Sequence, residues 1–166
     1  MQLVIFTVII SLGMATSIAQ EKYQVAGKQT IAFTKQDRSI VGDVEGHVLS
    51  LAQSEGVNPS TGATDFMHGA QVINFITSDL INYSGPIHGY SKMTKKGDSV
   101  FVKFEGTLTT TLSADGTPVT IAEAKWNWIK GTGQFENIQG NGTMKVQYIA
   151  TNIYTAEWEG DYWIKK

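Results

Sequence analysis

The sequence predicts an all-β protein: a single antiparallel barrel of about eight strands, with a two-sheet β-sandwich as the alternative. Three observations predict it. Apolar and polar residues alternate strictly through the second half of the chain, which turns one face of each strand to a core and the other to water. Glycine, at 17 residues, recurs between short runs rich in Val, Ile, Thr and aromatics, whereas proline numbers only 3. That is the spacing of strands joined by tight turns. Beyond the N-terminal run, no long stretch carries the 3.6-residue period of an amphipathic helix.

The chain opens with an almost wholly apolar run, Leu3 to Met14, followed by Ser17-Ile18-Ala19. Small side chains at two spaced positions suit a signal peptidase. A run of about a dozen apolar residues is too short to span a bilayer as a mature helix. No Lys or Arg precedes it, so a buried N-terminal strand is the alternative. The reading is a signal peptide over residues 1–19, cleaved near Ala19, and a β-barrel domain over residues 20–166. It implies a secreted or periplasmic protein with no integral membrane segment in the mature chain.

The clearest strand runs from Ser99 to Ser113. Val100, Val102, Phe104, Gly106, Leu108, Thr110 and Leu112 form one face, and Lys103, Glu105, Thr107, Thr109 and Thr111 the other. Lys96-Gly97-Asp98 is the turn before it and Ala114-Asp115-Gly116 the turn after it. The last third repeats the pattern. Trp126 and Trp128 share a face. So do Met144, Val146, Tyr148 and Ala150, and then Tyr154, Ala156, Trp158, Gly160, Tyr162 and Ile164. Earlier strands are predicted over Tyr23–Thr34, Ser39–Leu51, Gln71–Ile81 and Ile87–Thr94. Between them, Ala52 to Gly69 is polar and holds Gly56, Pro59 and Gly62. It reads as a long loop, either a lid over one barrel mouth or a mobile connection.

Composition narrows the function. The chain has 166 residues, 42% hydrophobic and 17% charged, with a formal charge of −2. One domain can bury a sufficient core at this size, and no overall basic field exists to attract nucleic acid. Lys92, Lys95 and Lys96 read as a solvated turn. The absence of cysteine excludes disulfides, thiol catalysis, iron–sulfur sites and a lipid-modified N-terminal Cys. Asn82-Tyr83-Ser84 and Asn141-Gly142-Thr143 match the N-glycan acceptor pattern.

Three sets of residues can carry chemistry. Asp43, Glu45 and His47 alternate, so within a strand they share a face; facing a cavity, they would form an acid–base pair or half of a metal site. The opposing face is apolar, with Ile40, Val44 and Val48, which puts the acids and His47 in water. Yet Val41, Leu49 and Leu51 are in phase with the acids, so the strand is bulged or mixed. His47, His68 and His88 have no close ligand spacing, and no metal is assigned. The aromatic set Trp126, Trp128, Tyr148, Tyr154, Trp158 and Tyr162 either lines an apolar pocket or fills a solid barrel. No phosphate loop, dinucleotide fingerprint, nucleophile elbow or zinc-protease motif is present, and no cofactor is expected.

The most distinctive run is Lys130-Gly131-Thr132-Gly133-Gln134-Phe135-Glu136-Asn137-Ile138-Gln139-Gly140-Asn141-Gly142. It resembles the Gly-Thr-Gly-x-Phe…Gly turn of the allene oxide cyclase and dirigent (calycin-like) β-barrels, in which Phe135 and Ile138 would plug one barrel end. The likeness extends over roughly Lys95 to Trp163, with an echo at Asp37-Arg38. It implies an exported member with the barrel fold. The plant cyclases carry an acidic residue and an Asn shortly before an Asp-Arg pair. Aligned on Asp37-Arg38, those positions fall at Ala32 and Thr34. The cyclases also use a cysteine, which this chain lacks, so the cyclase catalytic pattern is not matched. Dirigent proteins are exported and steer a reaction that they do not initiate.

The leading expectation is a non-enzymatic barrel that binds a small apolar molecule at Trp126, Trp128, Tyr148, Tyr154 and Trp158. One alternative is a cofactor-free isomerase or cyclase using Glu45 or His47 inside the barrel. The other is a structural or assembly protein, a homo-oligomer joined through outward apolar residues such as Phe101, Ile129 and Trp163.

Overall fold

The computed structural model describes residues 21–166, and the signal-peptide reading of residues 1–19 lies outside the described residues. The strands are β1 (Tyr23–Ile40), β2 (His47–Asn58), β3 (Ala70–Ile81), β4 (Gly85–Lys95), β5 (Asp98–Leu112), β6 (Pro118–Gly131), β7 (Ile138–Gln139), β8 (Asn141–Ala150) and β9 (Ile153–Ile164). Hydrogen-bonded neighbours run β1-β2-β3-β4-β5-β6-β8-β9, and β9 pairs back onto β1. Eight antiparallel strands thus close into the predicted barrel, which leaves no open sheet edge to template aggregation. The short β7 pairs only with the end of β9.

Closure depends on the length of β1. Its residues 23–32 pair with β9, while residues 30–40 pair with β2. One 18-residue strand therefore serves two offset neighbours, the stagger that a tilted barrel requires. A bulge between Phe33 and Lys35 changes its phase. Val25 and Ile31 face the core before the bulge. After it Gln36 and Arg38 face the interior, whereas Lys35 and Asp37 form an exposed ion pair at 3.1 Å.

The alternation read in the second half of the chain is the one found. Val100, Val102, Phe104 and Leu108 on β5, Trp126 and Trp128 on β6, Val146 on β8, and Tyr154, Ala156 and Trp158 on β9 are all buried. Two predicted segments need correction. Ser39–Leu51 is not one strand: β1 ends at Ile40 and β2 begins at His47. Residues 41–46 form the turn between them, with Gly42 and Gly46 at φ +85° and +77°, angles that glycine adopts without steric cost. Asp43, Glu45 and His47 therefore do not share a strand face. Nor is Ala52–Gly69 a loop throughout, because Ala52–Asn58 continues β2. Its polarity misleads because Ser54 and Asn58, both wholly buried, find hydrogen-bond partners inside the barrel. The remainder, residues 59–69, caps one barrel end by burying Phe66 and Met67.

Candidate functional site

The capped end is an aromatic floor. The Phe66 ring lies 4.9 Å from that of Tyr162, 5.1 Å from Phe135 and 5.3 Å from Trp128. Offset and edge-on contacts of this kind add to the stabilisation from apolar burial. Phe135 and Ile138 are both buried here, delivered by the glycine-rich run after β6. Gly131 has to be glycine, since a Cβ there would stand 2.0 Å from the Phe135 carbonyl oxygen. Asn58 is the polar hub of the floor. Its Oδ1 accepts from Trp158 Nε1 at 3.0 Å and from Gln29 Nε2 at 3.1 Å. Its Nδ2 donates to the carbonyls of Phe66 and Met67 at 3.4 and 3.1 Å.

Above the floor the barrel is hollow. A cavity of about 1320 Å³ runs from the indoles of Trp126, Trp128 and Trp158 to the opposite end, where Arg38, Glu45, Tyr83 and Leu112 form the mouth. The interior is therefore not the solid packing that eight strands can give. Its two walls differ. Ile87, Met93, Val102, Phe104, Leu108 and Val146, on β4, β5 and β8, make an apolar wall. Across from it, β1–β3 present Gln36, Arg38, Ser50, Asn74 and Ser78, with Ser54 wholly buried behind Asn74.

The sequence-predicted residues divide between these regions. Trp126, Trp128 and Trp158 form the floor, and each indole N–H already donates within the protein, to Thr143 O, Asp161 O and Asn58 Oδ1. Their rings, not their N–H groups, face the cavity. Tyr154 lies higher, its hydroxyl 2.7 Å from Ser54 Oγ and 3.2 Å from Asn74 Nδ2. Burial raises its pKa, opposed by those two hydrogen bonds. Burial pushes the Tyr148 phenol further, to about 12, with Tyr154 adding and Arg38 opposing. Both phenols are neutral near pH 7 and can act as hydrogen-bond donors.

Glu45 and His47 point apart. Glu45 stands at the mouth, lining the cavity. His47 is on the outer wall, with Nδ1 2.5 Å from Asp43 Oδ1 and Nε2 2.7 Å from Asp79 Oδ1. The Asp79 hydrogen bond, and after it that of Asp43, raises the His47 pKa. This pair of contacts ties the β1–β2 turn to β3. His68 accepts the Ser60 backbone N–H at 3.1 Å beneath the floor, and His88 lies in an outer-wall groove, so the three histidines are not brought together. Among the described residues no group of three His, Cys, Asp or Glu side chains is placed to hold a metal.

The residues that sequence reasoning missed are the polar ones of β1–β3. Asn74 and Ser78 alternate with Val72, Ile76 and Leu80, and that shared phase was the available signal for inward polar groups. On β2 it was hidden by reading Ala52–Gly69 as loop. Arg38 was hidden by the bulge.

These features define a class: a closed antiparallel barrel, sealed at one end and hollow to the other. No protein-family model matches the sequence, and no curated protein does. Solved structures do. The pterocarpan synthase dirigent protein GePTS1 superimposes with a TM-score of 0.53 over 95% of this chain and 100% of its own, at 9% identity. The pterocarpan synthase dirigent protein PsPTS1 does so with a TM-score of 0.50 over 88% of this chain and 97% of its own, at 11% identity. The fold is the dirigent-type barrel that the glycine-rich run implied.

Proposed function

We propose that this protein is a binding barrel that takes a small, mainly apolar molecule into its interior through the mouth bounded by Arg38 and Glu45. The observation that carries this reading is the cavity of about 1320 Å³, of the order that drug-sized and larger ligands occupy. Hydrophobic transfer onto the wall of Ile87, Phe104, Leu108 and Val146 supplies the affinity. Glu45 stands at the rim and His47 on the outer wall, bonded to Asp43 and Asp79, so the two do not form an acid–base pair inside the barrel, and binding is favoured over catalysis by them. The proposed location, secreted or periplasmic, rests on residues 3–19 of the sequence.

Two measurements test the reading. Purified protein is extracted with organic solvent and the extract analysed by mass spectrometry; a copurifying small molecule is expected. Separately, Nile red is titrated into the protein and into Ala52→Trp, which fills the middle of the cavity. Saturable fluorescence in the first and its loss in the second are expected. Equal binding by both proteins would place the dye elsewhere and remove the basis of the proposal.

A second reading, self-assembly, is favoured by the uneven outer wall. Leu49, Leu51, Phe75 and Tyr90 are each 44–53% exposed on β2–β4, whereas β5–β9 carry facing charges such as Glu105 with Lys125 and Glu123 with Lys145. Phe101 and Trp163, also outward, sit under Lys92 and Lys22 at 5.6 and 4.7 Å. Ile129 is 49% exposed. Sedimentation equilibrium tests assembly, and a purely monomeric protein at high concentration would end it.

A further inference from the structure

The polar groups of the cavity are arranged as two rungs. Near the mouth, Arg38, Ser50 and Ser78 lie side by side on three adjacent strands, since Arg38 pairs with Ser50 and Ser50 with Ser78. Deeper in, Ser54 pairs with Asn74, and the Tyr154 hydroxyl joins them from β9. Between the rungs Ala52 and Ile76 are paired, an apolar step. Asn74 and Ser78, which both line the cavity, are four residues apart on β3, a separation of roughly 13 Å at the usual rise per residue.

Each rung has unused hydrogen-bonding capacity. Ser50 and Ser78 share one contact at 2.5 Å, which uses one of their two hydroxyl protons. In the deep rung Asn74 Nδ2 donates to both Ser54 Oγ and Tyr154 OH. The contact between those two hydroxyls uses one proton and leaves the other free, and Asn74 Oδ1 remains an open acceptor. A buried polar group without a partner is unfavourable. A hydrocarbon occupant would leave that spare capacity unused, whereas an oxygenated one would take it up.

We infer that the cavity selects an elongated, mainly apolar ligand bearing two oxygen functions on one edge, roughly 13 Å apart, one seated on Asn74 and Tyr154, with Ser54 bracing them from behind, and the other on Ser50, Ser78 and Arg38. The inference rests on the binding reading above and adds what the ligand must carry. The apolar wall takes the hydrocarbon face, and the two rungs fix register along the barrel axis. Specificity comes from the rungs, because a site built to pair an oxygen discriminates against the analogue that lacks it.

The test uses three fluorescent rods of one shape: trans-stilbene, 4-hydroxystilbene and 4,4′-dihydroxystilbene. Each is titrated into the full-length protein. Each added hydroxyl is expected to tighten binding about five- to tenfold, the net effect of a hydrogen bond made in place of water. Ser78→Ala and Asn74→Leu should each remove the gain from one of the two hydroxyls, read as the ratio of affinities between the rods within each variant. Circular dichroism spectra establish that each variant is folded. If Asn74→Leu does not fold, Tyr154→Phe reports on the same rung. Equal affinity for all three rods would overturn the two-rung inference and leave apolar binding standing. Failure of every rod to bind would overturn both.

Discussion

The indole N–H of Trp158 donates to Asn58 Oδ1 at 3.0 Å, joining the last strand of the barrel to the second across its floor. Asn58 has no solvent exposure and makes three further hydrogen bonds, so the cap, the floor and β1 all converge on one side chain. Replacing it by Leu, of similar size, strands an indole N–H, the Gln29 amide and the Phe66 carbonyl in a buried interior, whereas the Met67 carbonyl keeps the Ala70 N–H. Asn58→Leu is expected to lower stability by about 3 kcal/mol or more, measured by urea unfolding followed by tryptophan fluorescence. A change within about 0.5 kcal/mol, the range of ordinary surface substitutions, would deny the hub its role.

Gly27 lies directly beneath that bond. A Cβ at this position would stand 2.5 Å from Trp158 Nε1 and 2.7 Å from Asn58 Oδ1, well inside van der Waals contact. Gly27→Ala should cost about 1–3 kcal/mol by overpacking and lower the thermal midpoint accordingly. An unchanged midpoint would mean that the floor is loosely packed.

Phe66 is the plug. It is 5% exposed and contacts four aromatic rings. Phe66→Ala should destabilise by about 3–5 kcal/mol and weaken the near-ultraviolet circular dichroism of the floor indoles. Retention of the full near-ultraviolet signal would show that residues 59–69 do not order the floor.

The His47 contacts make stability depend on pH on both sides of neutrality. The pKa of His47 is raised above 6.5 by Asp79 first and Asp43 next, so the folded state holds its proton more tightly than the unfolded chain. That contribution is complete below pH 6.5 and is lost as pH rises through the folded-state value. Asp43 is held below 3.8, chiefly by its hydrogen bond to His47. Its contribution is present above that value and is lost as pH falls through the lowered one. Urea midpoints measured from pH 5 to 9 should therefore fall more steeply above pH 6.5 for the natural protein than for His47→Gln. Parallel curves would rule the linkage out.

The barrel was legible where a strand is half-buried and unbroken, as at Val100–Leu112, because burial on one side alone enforces a two-residue period. It was illegible where the backbone changes phase. The bulge after Phe33 moves Arg38 inward, and the turn at residues 41–46 interrupts an apolar run that reads as continuous. Of the candidate site, Tyr148 and Tyr154 could be placed on an inward face from phase alone. Ser50, Ser54 and Asn74 could not be assigned roles, because a serine inside a strand reads as a gap in the apolar pattern until its neighbour across the sheet is known.

The most direct measurement is a crystal structure of the protein soaked with 4,4′-dibromostilbene, an apolar rod whose bromines are located by anomalous scattering. Two bromine peaks inside the barrel are expected, one on either side of the Ala52–Ile76 step along the barrel axis, with the rod lying against the wall of Phe104 and Val146. Peaks confined to the outer face near Leu51 and Phe75, with the interior closed by side chains, would contradict the account.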